Sequence, residues 1–396
     1  MIQISPETQL FIREHSSDDV RALALQAKKY PDINMPTAIT QIAGRQVAAE
    51  NIPSWREIEE IWYPKHLSLE QCSSEITARY KARLFQGDSL TDLTGGFGID
   101  CSFLATGFKS ATYVERQEEL CEIAAHNFPI LNLNHINVRN EDGVAYLQSM
   151  SPVDCIFLDP ARRNEHGGKT VAISDCEPNV AELEALLLSK ANRVMIKLSP
   201  MLDLSLALKE LKHTQEVHIL SVNNECKELL ILLGQTSPAE ITIHCVNLFT
   251  KGTQEEQHFV FTREQEQRSQ CTYTDSLGDY LYEPNASLLK AGAFRSIAAA
   301  YPVRKLHPNS HLYTSDTFIE NFPGRIFRIV NQCSFNKKEV KENLADLKKA
   351  NVTVRNFPAT VAELRKRLHL TEGGDTYLFA STLNNGQKVI IRCEKV

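Results

Sequence analysis

The chain has 396 residues, of which 42% are apolar and 23% charged, and its net charge at neutral pH is −6. A chain of this length exceeds one ordinary hydrophobic core, so we expect two to four domains. The composition is that of a folded globular protein, and no run reaches the ~18 apolar residues that span a bilayer. The N-terminus lacks a basic stretch followed by an apolar block, which argues against a secretory signal. We therefore expect a cytoplasmic protein with no membrane partner.

Ten cysteines are scattered along the chain without any C-x-x-C pair. This spacing indicates neither a zinc site nor a disulfide framework, so we predict no bound metal and a reducing compartment. Cys101, Cys121 and Cys155 lie inside apolar runs and are interpreted as small core residues.

Helical patterns dominate residues 1–87, most clearly over residues 17–30 and 37–51, which each begin with a plausible N-cap. Residues 88–279 alternate strand and helix, which predicts a parallel α/β sheet. Within them, "HILSVNNECKELLILLG" is typical of an antiparallel hairpin at the sheet edge, and two further strands follow it. Residues 280–324 predict a small β-α-β unit, and residues 325–396 follow a β-α-β-α-β-β pattern.

Charge is distributed unevenly along the chain. Residues 325–396 contain fourteen basic and seven acidic residues, a net charge of +7, so the preceding 324 residues carry −13. An acidic body with a basic terminal module favours a polyanionic partner. A solvated, lysine-rich helix face without any partner is an equally good interpretation of the charge alone.

The stretch "TDLTGGFGIDCSFLA", residues 91–105, has the layout of a strand, a glycine-rich turn and a helix start, which indicates a nucleotide-like ligand. Cys101 replaces the third glycine of the dinucleotide pattern G-x-G-x-x-G, and no Walker G-K-[ST] follows. Asp92 and Asp100 would repel a pyrophosphate in a partly desolvated cleft. The turn therefore favours S-adenosyl-L-methionine (SAM), with its cationic amine and sulfonium, over NAD or ATP.

Two more acids follow the next predicted strands. Glu115 ends the second strand, where a carboxylate accepts hydrogen bonds from ribose hydroxyls, and Asp142 follows the third strand, within reach of an adenine amine. Either acid alone could be a solvated loop carboxylate. Together with Asp92 and the glycines they stand at the carboxyl ends of consecutive strands, where open α/β sheets bind ligands.

The fourth predicted strand ends in "DPARRN". Asp159 is expected beside the transferable methyl group, and Pro160 restricts the backbone there. Nearby basic side chains are candidates for gripping the phosphates of a nucleic-acid substrate. These candidates are Arg162, Arg163, Lys169 and Lys197. The alternatives are a solvated loop for the arginines and a snorkelling strand lysine for Lys197.

Six segments together resemble the bacterial class I SAM-dependent methyltransferases that carry a C-terminal THUMP-like domain: "EQCSSEITARYKARL", "DLTGGFGID", "YVERQ", "NEDG", "FLDPARR" and "IKLSP". The resemblance covers most of the chain. It implies an α/β fold in which a Rossmann-like methyltransferase sheet (88–279) follows an N-terminal helical domain (1–87). Two small α+β domains would complete the chain, a ferredoxin-like unit (280–324) and a basic THUMP-like domain (325–396). THUMP modules are associated with structured RNA, notably tRNA, so the resemblance implies an RNA methyltransferase.

The resemblance also implies roles for individual residues. Asp159 and Pro160 would form the catalytic edge, and Ser73, Ser74 and Glu75 of "QCSSE" would close over the cofactor. A helix cap is an equally good interpretation of this last segment. The implied cofactor-binding residues are Asp92, Thr94, Gly95, Gly96, Gly98, Glu115 and Asp142.

The sequence departs from familiar substrate motifs. Ala161 and Arg162 stand where enzymes that methylate exocyclic base amines place an aromatic residue to stack the flipped base. "KLSPML" has no cysteine where the uracil-C5 enzymes have theirs, which leaves Cys176 as a remote candidate for covalent attack. The target atom therefore stays open. Methylation of a protein or small molecule, and RNA binding without catalysis, remain alternatives.

Overall fold

The computed structural model describes residues 4–65, 72–162 and 172–396, with only the backbone of Arg162. The chain divides into two compact units. The first contains residues 1–215 and 230–238, and the second contains residues 216–229 and 239–396. No helix in the described ranges has both the length and the apolar character that crossing a membrane requires.

The first unit begins with helices, as the sequence predicts. Among the described residues, the helices before the first strand are α1 (Pro6–Glu14), α2 (Val20–Leu25), α3 (Met35–Asn51), α4 (Pro53–Arg56) and α5 (Glu75–Leu84). Ser5, Asp19 and Asn34 cap the first three helices by accepting backbone N–H groups. Two boundaries differ from the prediction: α2 ends at Leu25 and gives way to a 3₁₀ turn over Ala27–Lys29, and α3 begins two residues early. The cap at Asn34 accounts for that early start.

A parallel sheet forms the rest of the first unit, which confirms the predicted α/β fold class. Its strands run in the order β7-β4-β1-β2-β3. They are β1 (Gly87–Asp92), β2 (Phe108–Glu115), β3 (Ile136–Asn140), β4 (Val153–Leu158) and β7 (Ala191–Leu198), with the short β5 (Ala161–Arg162) and β6 (Cys176–Glu177) outside the sheet. The helices are α6 (Ile99–Ala105), α7 (Glu118–Ile130), α8 (Gly143–Ser149), α9 (Val180–Lys190) and α10 (Leu204–Glu210). From β1 the chain adds β2 and β3 on one side of the sheet and then β4 and β7 on the other, while all five strands stay parallel. Open α/β sheets bind ligands at such a topological switch point.

Four strands follow along the chain. They are β8 (Thr214–Val222), β9 (Glu225–Gly234), β10 (Thr242–Leu248) and β11 (Glu256–Thr262). Asn223 and Asn224, both with positive φ, make the two-residue turn of the predicted β8–β9 hairpin. Its expected place at the sheet edge is wrong, because β10 pairs in parallel with β8 and β11 pairs antiparallel with β10.

The C-terminal segments of the second unit share one seven-stranded sheet of order β13-β14-β12-β15-β18-β17-β16. The strands are β12 (Tyr280–Pro284), β13 (Arg304–Lys305), β14 (Tyr313–Ser315), β15 (Gly324–Ser334), β16 (Asn351–Val354), β17 (Thr376–Thr382) and β18 (Lys388–Lys395). The helices are α11 (Arg263–Arg268), α12 (Ala286–Ala291), α13 (Ser296–Ala300), α14 (Lys337–Leu344) and α15 (Val361–Leu368). The predicted element order is confirmed for residues 325–396, whereas residues 280–324 contain two helices and the additional short strand β13 between the predicted strands. The sequence did not reveal that β12 pairs with β15. This pairing joins residues 280–324 and 325–396, which were predicted as separate units, in one sheet.

Candidate active site

Asp92 ends β1 with a side chain that is fully buried. One carboxyl oxygen, Oδ1, accepts the N–H of Thr94 at 3.0 Å, and Oδ2 has no hydrogen-bond partner among the described residues. Burial raises the pKa of Asp92 well above its usual value, and the neighbouring Asp100, Asp159 and Glu115 raise it further. A cation placed beside Oδ2 would relieve both effects, so this position suits a positively charged ligand.

The glycine turn after β1 brings its backbone close to β2. The N–H of Gly95 donates to the carbonyl of Val114 at 2.8 Å, and a Cβ on Gly95 would lie 2.2 Å from the Tyr113 ring. Gly96 and Gly98 have φ of +55° and +87°, a region that glycine enters without steric cost. The Tyr113 hydroxyl donates to the Gly96 carbonyl at 2.5 Å. The turn therefore needs glycine at these positions for steric and conformational reasons.

Glu115, the candidate ribose ligand, lies at the same edge at the end of β2. Its Oε2 accepts the N–H of Gly96 and its Oε1 accepts the N–H of Gln117, both at 2.9 Å. The carboxylate thus fastens the glycine turn to the end of the second strand. Each carboxylate oxygen carries two lone pairs, so these bonds leave acceptor capacity for a ligand hydroxyl.

Asp142, the candidate adenine ligand, is exposed and caps α8. Its Oδ1 accepts the N–H groups of Val144 and Ala145, each at 3.0 Å. The preceding Glu141 donates its N–H to the carbonyl of Glu115 at 3.1 Å. The structure thus places Asp142 next to the Glu115 edge, and it shows a capping role that the sequence did not indicate.

Asp159 and Pro160 follow β4 on the other side of the switch point. The N–H of Asp159 donates to the Thr94 hydroxyl at 2.6 Å, and the Asp159 carboxylate forms an ion pair with Lys197 at the end of β7. Side-chain exposure is 34% for Asp159 and 13% for Lys197. Lys197, a candidate substrate-binding residue, therefore also fixes the position of the candidate catalytic acid.

Sequence reasoning missed Lys81. This lysine of α5 is fully buried, and its Nζ lies 2.9 Å from Asp100 Oδ1 and donates to Ser73 Oγ at 2.9 Å. Ser73 in turn donates to Asp100 Oδ2 at 2.7 Å. Burial opposes ionisation of Asp100, yet Lys81 and Lys197 outweigh it and lower its pKa. The available signal was the helical spacing, since Lys81 lies three residues after the buried Ala78 on the same face of α5.

The "QCSSE" segment takes part in packing. Ser74 holds the N-cap position of α5 without a side-chain capping bond. Glu75 accepts the N–H of Ser54 at 2.8 Å and pairs with Arg79 at 2.6 Å. Neither interpretation accounts for all of this. Among the described residues of the segment, Ser73 reaches the site through its hydrogen bond to Asp100, and the Cys72 thiol has Asp100, Lys197 and Lys81 as charged neighbours.

The proposed substrate side of the site is described in part. Ala161 and Arg162 pair antiparallel with Cys176 and Glu177. Cys176 is only 1% exposed, which makes it a poor candidate for covalent attack on a bulky base. Arg163 and Lys169 lie outside the described residues.

The convergence of charge limits what the site can bind. Four carboxyl side chains approach the glycine turn, and lysines pair with two of them. The acids are Asp92, Asp100, Glu115 and Asp159, and the lysines are Lys81 and Lys197. A ligand bearing positive charge near the end of β1 is electrostatically matched, whereas a pyrophosphate is not.

Comparison with known proteins extends this description. Residues 280–323 match a ferredoxin-like domain family, and residues 324–395 match a THUMP domain-like family. A crystal structure of a candidate methyltransferase from Porphyromonas gingivalis W83 is 34% identical in sequence, with a TM-score of 0.87 and 100% coverage of both chains. No curated protein matches the chain in sequence.

Two streptococcal structures are far less similar. A candidate methyltransferase from Streptococcus mutans in complex with SAH is 12% identical over 40% of this chain and 96% of that one, with a TM-score of 0.30. An rRNA methylase from Streptococcus thermophilus is 13% identical over 40% of this chain and 93% of that one, with a TM-score of 0.29. Similarity at this level carries no functional argument. The full-length match shows the family: the chain belongs to the bacterial class I methyltransferases with C-terminal ferredoxin-like and THUMP-like domains.

Proposed function

We propose that this methyltransferase uses SAM to methylate a base in structured RNA, with tRNA as the expected substrate class, in the cytoplasm. The observation that carries the cofactor assignment is the buried Asp92 carboxyl, whose Oδ2 has no partner among the described residues and whose neighbours are further acids. The amine and sulfonium of SAM supply the missing positive charge. NAD and ATP would instead bring phosphates to the same place.

The proposed cofactor contacts follow the strand ends. Asp92, Thr94 and the glycine turn would hold the methionine end, Glu115 the ribose and Asp142 the adenine. The acceptor capacity left on Glu115 and the exposure of Asp142 support these roles.

SAM supplies a methyl group already activated by the sulfonium. The chain's own contribution is positioning and electrostatics, because methyl transfer needs little proton chemistry. Asp159 is suited to orient a base beside the methyl group, since Lys197 of β7 fixes its side chain and Thr94, in the turn after β1, fixes its backbone. Pro160 is buried and restricts the backbone at the same point.

The RNA assignment rests on the THUMP-like domain and its charge. Among its fourteen basic residues, five arginines form ion pairs within the protein, and two of these share the buried Glu283. The exposed lysines of α14 and its neighbouring loops are Lys337, Lys338, Lys341, Lys348 and Lys349. They, with Arg162, Arg163, Lys169 and Lys197, are the proposed phosphate contacts.

The test uses the purified full chain, radiolabelled SAM, and total RNA from a strain lacking the gene. We expect label in one RNA fraction and a methylated nucleoside in mass spectrometry of that fraction. Asp159→Ala should abolish labelling while RNA binding survives, which separates catalysis from recognition. Label in protein or small molecules with none in RNA would contradict the substrate assignment, and calorimetry with uptake of NAD but not SAM would contradict the cofactor.

A further inference from the structure

Glu216, His218 and His244 meet on one face of the second unit. Glu216 and His218 are two residues apart on β8 and so point to the same side, and the parallel register places His244 of β10 directly beside His218. The two imidazole rings stack with centroids 4.3 Å apart and planes 5° from parallel. The sheet itself therefore brings two nitrogen donors and one carboxylate together.

The spacing of the donor atoms matches that of metal ligands. His218 Nε2 lies 3.2 Å from Glu216 Oε2, and His244 Nε2 lies 3.9 Å from the same oxygen. One ligand atom from each of the three residues lies within 4.8 Å of the others. Tetrahedral zinc, with bonds of about 2.0–2.1 Å, separates its ligand atoms by about 3.3 Å. Because the two rings are stacked nearly parallel, at least one imidazole must rotate about its side-chain torsions for all three donors to reach one ion.

A fourth residue fixes the orientation of one imidazole. His244 Nδ1 lies 3.1 Å from His258 Nε2 on β11, so His244 can donate its Nδ1 proton to His258 and leave Nε2 available for a metal. Metal-bound histidines usually have such a partner on the second nitrogen.

We propose that Glu216, His218 and His244 bind one divalent transition-metal ion, Zn²⁺ by ligand preference, with His258 as the positioning residue. Two imidazoles and one carboxylate are a common zinc ligand set, and they leave a fourth coordination position open. The site is open to solvent on one side, since the side chain of Glu216 is 40% exposed whereas that of His218 is 3% exposed. A metal ion can therefore enter it from solution. The prediction of no bound metal rested on cysteine spacing and could not detect ligands drawn from two strands.

The test titrates Co²⁺ into the full chain prepared without a histidine tag, because Co²⁺ reports its ligands through visible absorption and Zn²⁺ does not. We expect one equivalent to bind with the intense bands of a four- or five-coordinate site, and Zn²⁺ to displace it. His244→Gln should lose the bands, and Glu216→Gln should weaken binding at least tenfold. The control His369→Asn removes an exposed histidine with φ of +55° elsewhere in the second unit and should bind as wild type does.

Glu216→Gln keeps the proposal testable even if replacing His244 impairs folding, since Glu216 is partly exposed and glutamine preserves its shape. Circular dichroism identifies the variants that fold. Absence of the visible bands in wild type would overturn the proposal. So would binding that is unchanged in both Glu216→Gln and His244→Gln.

Discussion

Asp92 lies where the proposed cofactor would meet the sheet, and its burial has a cost in the ligand-free protein. A carboxyl removed from water, with acids around it, holds its proton more tightly than in the unfolded chain. The ligand-free fold therefore gains stability from the neutral form of Asp92 and loses it as the group ionises. A site that binds a cation explains why the chain tolerates this arrangement.

Substitution of Asp92 should consequently change the pH dependence of stability. Its folded-state pKa is raised above the unfolded value of about 3.9, so its contribution is present below about pH 4 and lost as pH rises toward the folded pKa. We expect the melting temperature of Asp92→Asn relative to wild type, without SAM, to rise as pH increases from about 4 toward the folded pKa of Asp92. The slope in unfolding free energy is at most about 1.4 kcal/mol per pH unit.

Asp154 provides the matched control. Backbone N–H groups of Ser89 and Asp88 lower its pKa, so its contribution is present above the unfolded pKa and lost only as pH falls through the folded value. The melting difference for Asp154→Asn should therefore be constant from pH 5 to pH 8. Calorimetry should also show weaker SAM binding by Asp92→Asn. A melting difference for Asp92→Asn that does not change with pH would refute the raised pKa.

Two neighbouring glycines should respond differently to alanine. A Cβ on Gly96 would make only an ordinary van der Waals contact, 3.8 Å from the Thr94 carbonyl oxygen, so alanine there costs about 1–2 kcal/mol for its left-handed φ of +55°. Alanine at Gly95 would place Cβ 2.2 Å from the Tyr113 ring, so the turn or the ring must move. We expect Gly95→Ala to destabilise the protein more and to weaken SAM binding at least tenfold, as measured by urea unfolding and calorimetry. Equal effects of the two substitutions would show that the turn is not tightly held.

At the scale of elements, a buried ion pair joins α5 to α6. Lys81 of α5 has no solvent exposure, and Asp100 lies in the first turn of α6. Lys81→Met should cost about 3–5 kcal/mol because it leaves Asp100 buried without its cation. Lys81→Met with Asp100→Asn should recover much of that loss, since the stranded charge is removed.

The exposed pair between Lys65 and Glu119 is a suitable comparison. Lys65→Met should cost less than about 1 kcal/mol because water screens that pair. Urea unfolding of all three variants gives the measurement. A cost for Lys81→Met no larger than for Lys65→Met would mean that the buried pair does not hold the helices together.

Elements were easier to predict than contacts. Alternating apolar segments and the glycine turn were enough to predict the parallel sheet, because side-chain periodicity follows local backbone geometry. The binding of a ligand at its carboxyl edge stays a prediction. Lys81 was missed because a buried lysine looks like a solvated one until Asp100 is placed opposite it. The His218–His244 contact depends on strand register, and the β12–β15 pairing depends on sheet order. Neither contact can be predicted from a short stretch of sequence.

At the scale of the whole molecule, charge divides along the chain, with +7 in residues 325–396 and −13 in the rest. Ion pairs such as that of Arg392 with Asp346 show that part of the positive charge serves the fold. Lys337 and Lys338 differ from these ion-paired arginines. Both lysines are exposed, and they begin α14, where the helix dipole disfavours cations. Helix stability does not explain lysines at those positions, so a polyanionic partner is the better explanation.

Replacing both lysines should therefore weaken RNA binding without destabilising the fold. Each phosphate contact contributes about 0.7–0.9 to the slope of log affinity against log salt concentration, so Lys337→Ala with Lys338→Ala should reduce that slope by about 1.5. Filter binding of tRNA at several salt concentrations measures it, and the melting temperature should stay equal or rise slightly because the unfavourable dipole interaction is gone. The control replaces Lys28 and Lys29, two exposed lysines of the N-terminal helical region, and should leave the slope unchanged. If both double variants shift the slope equally, RNA is attracted by diffuse charge and not by the THUMP-like domain.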